Sequence, residues 1–234
     1  MNQSLGITSQ QHAQLVALPT ATLSSVLSKM GVTNVWVRKA LPLSGQARQR
    51  VAGTAFTLRF APARAGLSLP VNTRTAIEQM PQGCIAVADT GNVVDVGVMG
   101  DVLSLRMQYR GVQALVTDGA VRDADSIKAC GLPVWSTAVA APLPTDGLVL
   151  VGVQEIVRCG GVTLCPEDIL VCDTDGAVVI PRNLMCSVID LAEEMERFEG
   201  WVITQVKAGA SLPGLYPPDE NTTQRYQSWL NEKF

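Results

Sequence analysis

Residues 100–123 read GDVLSLRMQYRGVQALVTDGAVRD, and the order of elements within them decides the fold class. Val102, Leu103, Leu105 and Met107, with Arg106 and Arg110 interspersed, predict a helix that begins at Asp101 and ends at Gly111. QALVTDG follows as a buried strand closed by the turn signal Asp118-Gly119. The adjacent pair Arg122-Asp123 comes next. One βα-type unit thus gathers two carboxylates and a guanidinium toward one end. A divalent cation and a small anionic oxo-acid need that set of groups.

Working outward, the same alternation continues. Leu15, Leu18, Leu23, Val26, Leu27 and Met30 have helical spacing, with Pro19 dividing two short helices, Thr20 or Thr22 capping the second and Gly31 ending it. RVAGTAFTLRFAPA reads as a strand, residues 71–80 as a short helix closed by Pro81-Gln82-Gly83, and CIAVADTG as a buried strand. After Arg122-Asp123, ADSIKACG predicts a short helix. Several β-type runs follow, with turns at Asp146-Gly147, Gly160-Gly161, Pro166-Glu167-Asp168 and Asp175-Gly176. Residues 183–208 predict one long amphipathic helix, and the Pro-rich tail is weakly helical. No Ser/Gly linker or repeat divides the chain. The expectation is one mixed α/β layered domain over residues 1–234, with its core at about 15–216 and a tail at 217–234.

Composition removes whole classes of function. Of 234 residues, 47% are apolar and only 17% charged, enough for a large core and a surface partly covered by other subunits. A net charge of −3 argues against nucleic acid as an electrostatic partner. No run approaches the about 18 apolar residues of a membrane span. The N-terminal stretch MNQSLGITSQQHAQ is polar, so a cytoplasmic location is the expectation. The six Cys form no C-x-x-C pair and read as buried free thiols. The single His, His12, lies in the N-terminal segment. His-based triads, Cys-His dyads and His-rich zinc sites therefore have no His to use, and any metal would be held by oxygen, as Mg²⁺ or Mn²⁺.

Asp101 taken alone is an N-cap. The preceding Gly97-Val98-Met99-Gly100 points instead to backbone amides of Val102 and Leu103 facing an anion, with Asp101 free as a ligand. Asp118 reads as a turn residue. Arg122-Asp123 could be a solvated ion pair worth little, but neighbours on an extended segment point to opposite sides and need not pair, which would leave Asp123 for a cation and Arg122 for a carboxylate or keto oxygen. Asp173 and Asp175 suit a hairpin turn better than a calcium loop. Glu193, Glu194, Glu196 and Glu199 form the polar face of the long helix, from which one could reach a neighbouring subunit. Phosphate loops of the GxGxxG and GxxxxGK[ST] types are absent.

The run from Asp101 to Arg122-Asp123 resembles the signature of the RraA-like family. Its enzymatic members are the class II 4-hydroxy-4-methyl-2-oxoglutarate / 4-carboxy-4-hydroxy-2-oxoadipate aldolases. CGGVTLCPEDILVCDTDGAVVIPR and KAGASLPGLY resemble further blocks of that family. The resemblance implies an α/β/β/α sandwich, with trimers or dimers of trimers and active sites between subunits. It implies Mg²⁺ or Mn²⁺ at Asp123, partly through waters, and Arg122 on the pyruvyl keto oxygen and enolate. Asp101 would orient a metal-linked water that acts as base. The amides of Val102 and Leu103, beside Gly100, would hold the pyruvate carboxylate. Glu199 would come from the neighbouring subunit, with Glu196 in reserve. The implied reaction is retro-aldol cleavage of a 4-hydroxy-2-oxo acid to pyruvate, with oxaloacetate decarboxylation through the same enolate. Asp101 stands where non-aldolase members often carry Glu. SLPGLYPP and NTRTAIEQM depart from the family pattern and bear on the substrate.

Two rival readings differ in class. A regulator resembling RraA would bind ribonuclease E without chemistry, and it lacks the acid that this chain keeps after Arg122. A Schiff-base aldolase would use Lys128, the lysine closest to the acidic motif. The menaquinone methyltransferase label attached to some members finds no Gly-rich loop to support it.

Overall fold

The computed structural model describes residues 6–44, 49–64, 69 and 71–233. Residues 1–5, where the polar N-terminal reading starts, and Phe234, the last of the expected domain, lie outside the described residues.

Helices α1 (Ser9–Ala17) and α2 (Thr20–Lys29) lead into strands β1 (Leu41–Pro42) and β2 (Val51–Pro62). Helix α3 (Thr73–Gln79), β3 (Cys84–Asp89), α4 (Asp101–Tyr109), β4 (Ala114–Thr117), β5 (Ala120–Val121) and α5 (Ala124–Cys130) follow. Strands β6 (Val134–Ser136), β7 (Ala138–Val139), β8 (Leu148–Val153), β9 (Val157–Cys159), β10 (Val162–Leu164), β11 (Ile169–Asp173) and β12 (Gly176–Ile180) precede α6 (Met185–Lys207) and α7 (Glu220–Lys233).

Eight strands form one sheet in the order β1-β6-β4-β3-β2-β11-β12, with β8 also on β2. The β2–β3, β3–β4 and β4–β6 pairs are parallel, and the others antiparallel. β2 spans both halves. Its first residues pair with β11 and its last with β8, and the β8 pairing shifts register between Arg59 and Phe60, leaving Val151 of β8 as the extra residue of a bulge. Trp36 bridges Val178, bringing the chain that leads to β1 against β12 and nearly closing the sheet.

Side-chain alternation builds the layers. Ile85, Val87, Ala114, Val116, Leu170, Cys172, Ala177 and Val179 face an inner core shared with the β9–β10 hairpin. Cys84, Ala86, Ala88 and Leu115 face outward onto Ile77 of α3, Met107 of α4 and Ile127 of α5. Ala52, Ile169, Val171, Val178 and Ile180 face outward onto α1, α2 and α6. The result is the expected α/β/β/α sandwich. With both faces covered, the central strands are apolar throughout rather than alternating with polar residues.

Local expectations hold for most elements. One that fails is the cap of α2. Pro19 is its N-cap residue and has no side-chain cap bond. Instead Asp173, at the β11–β12 turn, accepts from the Thr20 amide (2.9 Å) and hydroxyl (2.6 Å). A carboxylate distant in sequence thus satisfies the helix start. The hairpin reading of residues 173–176 holds. The thiols are free, but Cys165 and Cys186 are exposed rather than buried. The tail is more ordered than its composition suggests. Tyr226 and Trp229 of α7 pack in an aromatic cluster with Phe198 and Trp201 of α6. No described helix is long and apolar enough to cross a membrane.

Leu115, fully buried on central strand β4, is a sensitive test of this packing. Leu115→Ala is expected to cost about 2–5 kcal/mol, read as a lower urea midpoint at unchanged slope.

Candidate active site

β3 and β4 are parallel neighbours, so their C-terminal ends open on the same edge of the sheet, where ligand sites of α/β sheets form. From β3 the chain runs through residues 90–100 into α4. From β4 it runs through Asp118-Gly119 and β5 into Arg122, Asp123 and α5. The two connections lie side by side. Val98 N donates to Ala120 O (2.8 Å) and Arg122 N to Met99 O (2.9 Å), while β5 pairs on its other edge with β7.

Two glycines make this approach possible. A Cβ at Gly97 would sit 2.6 Å from Arg122 Cβ and 2.8 Å from Arg122 N. A Cβ at Gly100 would sit 2.7 Å from Asp123 Oδ2. Gly100 has an extended backbone that any residue could adopt, so its requirement is space alone. The side chains of Arg122 and Asp123 occupy that space.

Arg122 and Asp123 do not diverge as an extended segment would make them. Asp123 has φ 56° and ψ 40°, the left-handed region, as the residue before α5. The turn folds its carboxylate back, so that Arg122 Nε donates to Asp123 Oδ2 at 3.1 Å. With side chains 26% and 35% exposed, such a pair contributes about 0–1 kcal/mol. Its consequence is orientation. Arg122 engages Oδ2 and leaves Oδ1 of Asp123 available, along with the remaining guanidinium donors.

Asp101 is the first residue of α4 and half-buried. Its Oδ1 accepts from the Val102 amide at 2.7 Å. Val102 N is therefore engaged, which corrects the expectation of two open amides. The Leu103 amide, also in the first turn, has no backbone acceptor among the described residues. The Leu103 side chain packs on the core that α3, α4 and α5 share with the sheet.

A buried acid the sequence reading took as a turn residue organises the edge. Asp118 is fully buried. It accepts from Thr90 N (2.8 Å), Thr90 Oγ1 (3.0 Å), Asn92 N (3.2 Å) and Gly160 N (3.2 Å). It ties both connections and the β9–β10 turn together. Beside it, Asp89 accepts from Gly91 N and Arg158 N, and burial holds its carboxyl above the usual range. The DG dipeptide gave the turn, but nothing local showed that this carboxylate is an internal junction.

The other predicted residues lie apart. Lys128 is ion-paired with the exposed Asp125 at 2.6 Å. Glu199 stands on α6 in the opposite helical layer and accepts from Tyr216 Oη at 3.0 Å, which raises the Tyr216 hydroxyl pKa. Glu196 is bonded to Thr22. Buried thiols are unreactive here. Burial pushes Cys84 up to about 12, and burial with the nearby acids pushes Cys159 well up.

The donor set fits a hard cation that keeps much of its water. Among the described residues, Asp123 Oδ1 and Asp101 Oδ2 are carboxylate oxygens that accept from no other protein group. Among the described residues there is no cluster of three or more His, Cys, Asp or Glu that would form an all-protein cage. Mg²⁺ and Mn²⁺ accept one or two carboxylates with water and substrate completing the shell.

The family model RraA-like (Aldolase/RraA) matches residues 20–179, from α2 to β12. This chain belongs to the RraA-like family. A Halalkalibacterium halodurans protein named "Putative 4-hydroxy-4-methyl-2-oxoglutarate aldolase" is 30% identical over 185 residues, covering 78% of this chain and 82% of that one. DlpA of Legionella pneumophila is 26% identical over 199 residues, 85% of this chain but only 32% of DlpA, so this chain spans about a third of that relative. The crystal structure of Streptomyces coelicolor RraAS2, described as an unusual member of the RNase ES inhibitor RraA protein family, superposes with TM-score 0.76 at 26% identity. It covers 83% of this chain and 96% of RraAS2.

Asp118→Ala leaves three backbone amides without their acceptor and the Thr90 hydroxyl with only its longer bond to Val93 O (3.3 Å). It is expected to lower stability by about 3 kcal/mol or more, with Asp118→Asn losing less, measured by urea denaturation.

Proposed function

We propose that this chain is a divalent-metal-dependent lyase that releases pyruvate from a 4-hydroxy-2-oxo acid and decarboxylates oxaloacetate by the same route. The observation that carries this reading is the Arg122–Asp123 pair seated against Gly97 and Gly100. The aldolase name carried by relatives at about 30% identity supports it.

Both reactions require that negative charge developing on the pyruvyl keto oxygen be stabilised. A Mg²⁺ or Mn²⁺ at Asp123 would supply positive charge next to that oxygen. Arg122, its Nε turned to Asp123, directs its remaining N–H donors to the same oxygen. The free amide of Leu103, at the start of α4, donates to the pyruvyl carboxylate, and Gly100 keeps the approach open. Asp101 takes up the proton of the 4-hydroxyl, directly or through water, as the C3–C4 bond breaks. Decarboxylation releases CO₂ and needs no such base.

Glu199 belongs to the proposed site through a second copy of the chain. The site-bearing helix α4 exposes Val102 (72%), Leu105 (43%) and Tyr109 (76%). Around Glu199, Ile203, Val206 and Leu212 are likewise exposed. Apolar surface of that kind suits subunit contact, in a homotrimer or a dimer of trimers. The second reading, a regulator acting on ribonuclease E without chemistry, draws on the likeness to RraAS2. Asp123 beside Arg122 favours the lyase.

The wild-type protein with Mg²⁺ is expected to release pyruvate from 4-hydroxy-2-oxo acids and oxaloacetate in a coupled assay and to lose activity with EDTA. Arg122→Ala and Asp123→Ala should each lower kcat/KM by about 10²–10³-fold. Asp101→Ala should slow the aldol cleavage more than the decarboxylation. EDTA-resistant turnover, or turnover that survives the Arg122 and Asp123 substitutions, contradicts the assignment.

A further inference from the structure

We infer that Tyr216 is a positioning residue for Glu199, fixing which carboxylate oxygen α6 presents to the proposed site of a neighbouring copy; the inference rests on the reading above and deepens it. Helix α6 has two parts. Met185, Val188, Ile189 and Ala192 of its first half pack with α2 on the outer face of the sheet. Phe198, Trp201 and Val202 of its second half belong to a different cluster, built with Leu215 and with Tyr226 and Trp229 of α7, to which no described strand contributes. Glu199 stands in this second half. The segment that follows α6, rather than the sheet, therefore sets its position. The family model ends at residue 179, so this support lies outside the matched region.

Two tyrosines of that segment reach back to two glutamates of α6. Tyr226 Oη donates to Glu194 Oε1 (3.0 Å), and Tyr216 Oη donates to Glu199 Oε1 (3.0 Å). The two bonds differ in setting. Tyr226 is buried and its ring packs edge-on against Phe198, so its bond belongs to the contact between α6 and α7. Tyr216 is 52% exposed and stands outside that cluster. Together with Glu199 it lines two mainly apolar hollows, of about 640 Å³ and 480 Å³. A hydrogen bond so exposed adds little to stability, and its consequence is orientation. The turn that carries Tyr216 is held without that bond. Leu215 beside it is buried, Tyr216 N donates to Leu212 O (2.9 Å), and Asp219 N donates to Gly214 O (2.8 Å). Gly214 has φ 78°, and a Cβ there would sit 2.6 Å from Asp219 Oδ2. Asp219 in turn accepts from the Thr222 amide (2.7 Å) at the start of α7. The hydroxyl is thus a fixed donor, and it holds a side chain that would otherwise turn among several rotamers. Lys29 lines one hollow and Lys207 the other, and among the described residues neither forms an ion pair with Glu199. A neutral phenol therefore fixes the carboxylate without cancelling its charge. With Oε1 engaged, Glu199 Oε2 accepts no hydrogen bond among the described residues and is the oxygen left for the neighbouring site.

Fluorine NMR of the full chain labelled with 3-fluorotyrosine reads the pairing without any turnover. Of the three tyrosines, Tyr216 gives the signal that is lost in Tyr216→Phe. Its ionisation midpoint is expected to fall in Glu199→Gln, because the carboxylate that raises the Tyr216 pKa is gone. In the pyruvate-release assay with Mg²⁺, Tyr216→Phe is expected to lower kcat about tenfold with KM little changed. The same substitution should have no further effect in Glu199→Gln. An ionisation midpoint that ignores Glu199→Gln overturns the inference. So does an undiminished kcat in Tyr216→Phe beside an active wild type, or an equal loss with and without Glu199, the mark of a merely structural contact. A midpoint that responds to Glu199→Gln, in a protein that releases no pyruvate from any 4-hydroxy-2-oxo acid, supports the pairing and overturns only the catalytic reading.

Discussion

The close approach of residues 97–100 to residues 120–123 is the constraint on which the rest of the site depends. Backbone hydrogen bonds hold the two segments side by side, and only glycine at 97 and 100 leaves room for the Arg122 and Asp123 side chains. Asp123 can turn back onto Arg122 because its backbone adopts a left-handed conformation at the start of α5. Neither feature stabilises the fold to any large extent. Both convert two adjacent residues, which would diverge on an extended strand, into one oriented cation–anion unit at the edge of a parallel sheet. Beneath them, Asp118 binds the connections from β3 and β4 and the β9–β10 turn to one buried carboxylate. Rigidity of this kind keeps reacting groups within the small tolerances that proton transfer and charge stabilisation require.

Much of this was legible in the sequence, for identifiable reasons. The long apolar runs of residues 84–89 and 169–180 follow from strands covered on both faces, and Gly-rich turns marked their ends. The order Asp101, Arg122, Asp123 resembled a known signature, and the family match over residues 20–179 agrees with it. What escaped depends on contacts between residues far apart in sequence. The start of α2 is held by Asp173, 153 positions away, where local reading expected Thr20 or Thr22 to cap it. Asp118 looked like half of a turn dipeptide, because a sequence does not show which amides converge on a carboxylate. The return of Asp123 onto Arg122 required a positive φ at a residue other than glycine, which no composition rule predicts.

The same distinction applies to the two helical layers. Arg122, Asp123 and Asp101 share the layer of α3, α4 and α5, whereas Glu199 lies in the layer of α1, α2 and α6, hydrogen-bonded by Tyr216. A site that combines them would draw Glu199 from another copy of the chain, and the exposed apolar residues of α4 and of the end of α6 are the surfaces available for that contact. Within the first of these layers, Glu78 of α3 is held by Arg106 of α4 and by Arg110 at its end.

The central claim is that Asp123, oriented by Arg122, is where a divalent cation and the pyruvyl group meet. Electron paramagnetic resonance of Mn²⁺ titrated into the full chain tests it directly, with and without oxalate as a mimic of the pyruvate enolate. The account predicts one tight Mn²⁺ site per chain whose spectrum changes on adding oxalate, and loss of both the site and the change in Asp123→Asn. Tight Mn²⁺ binding that persists in Asp123→Asn with the same response to oxalate would contradict it.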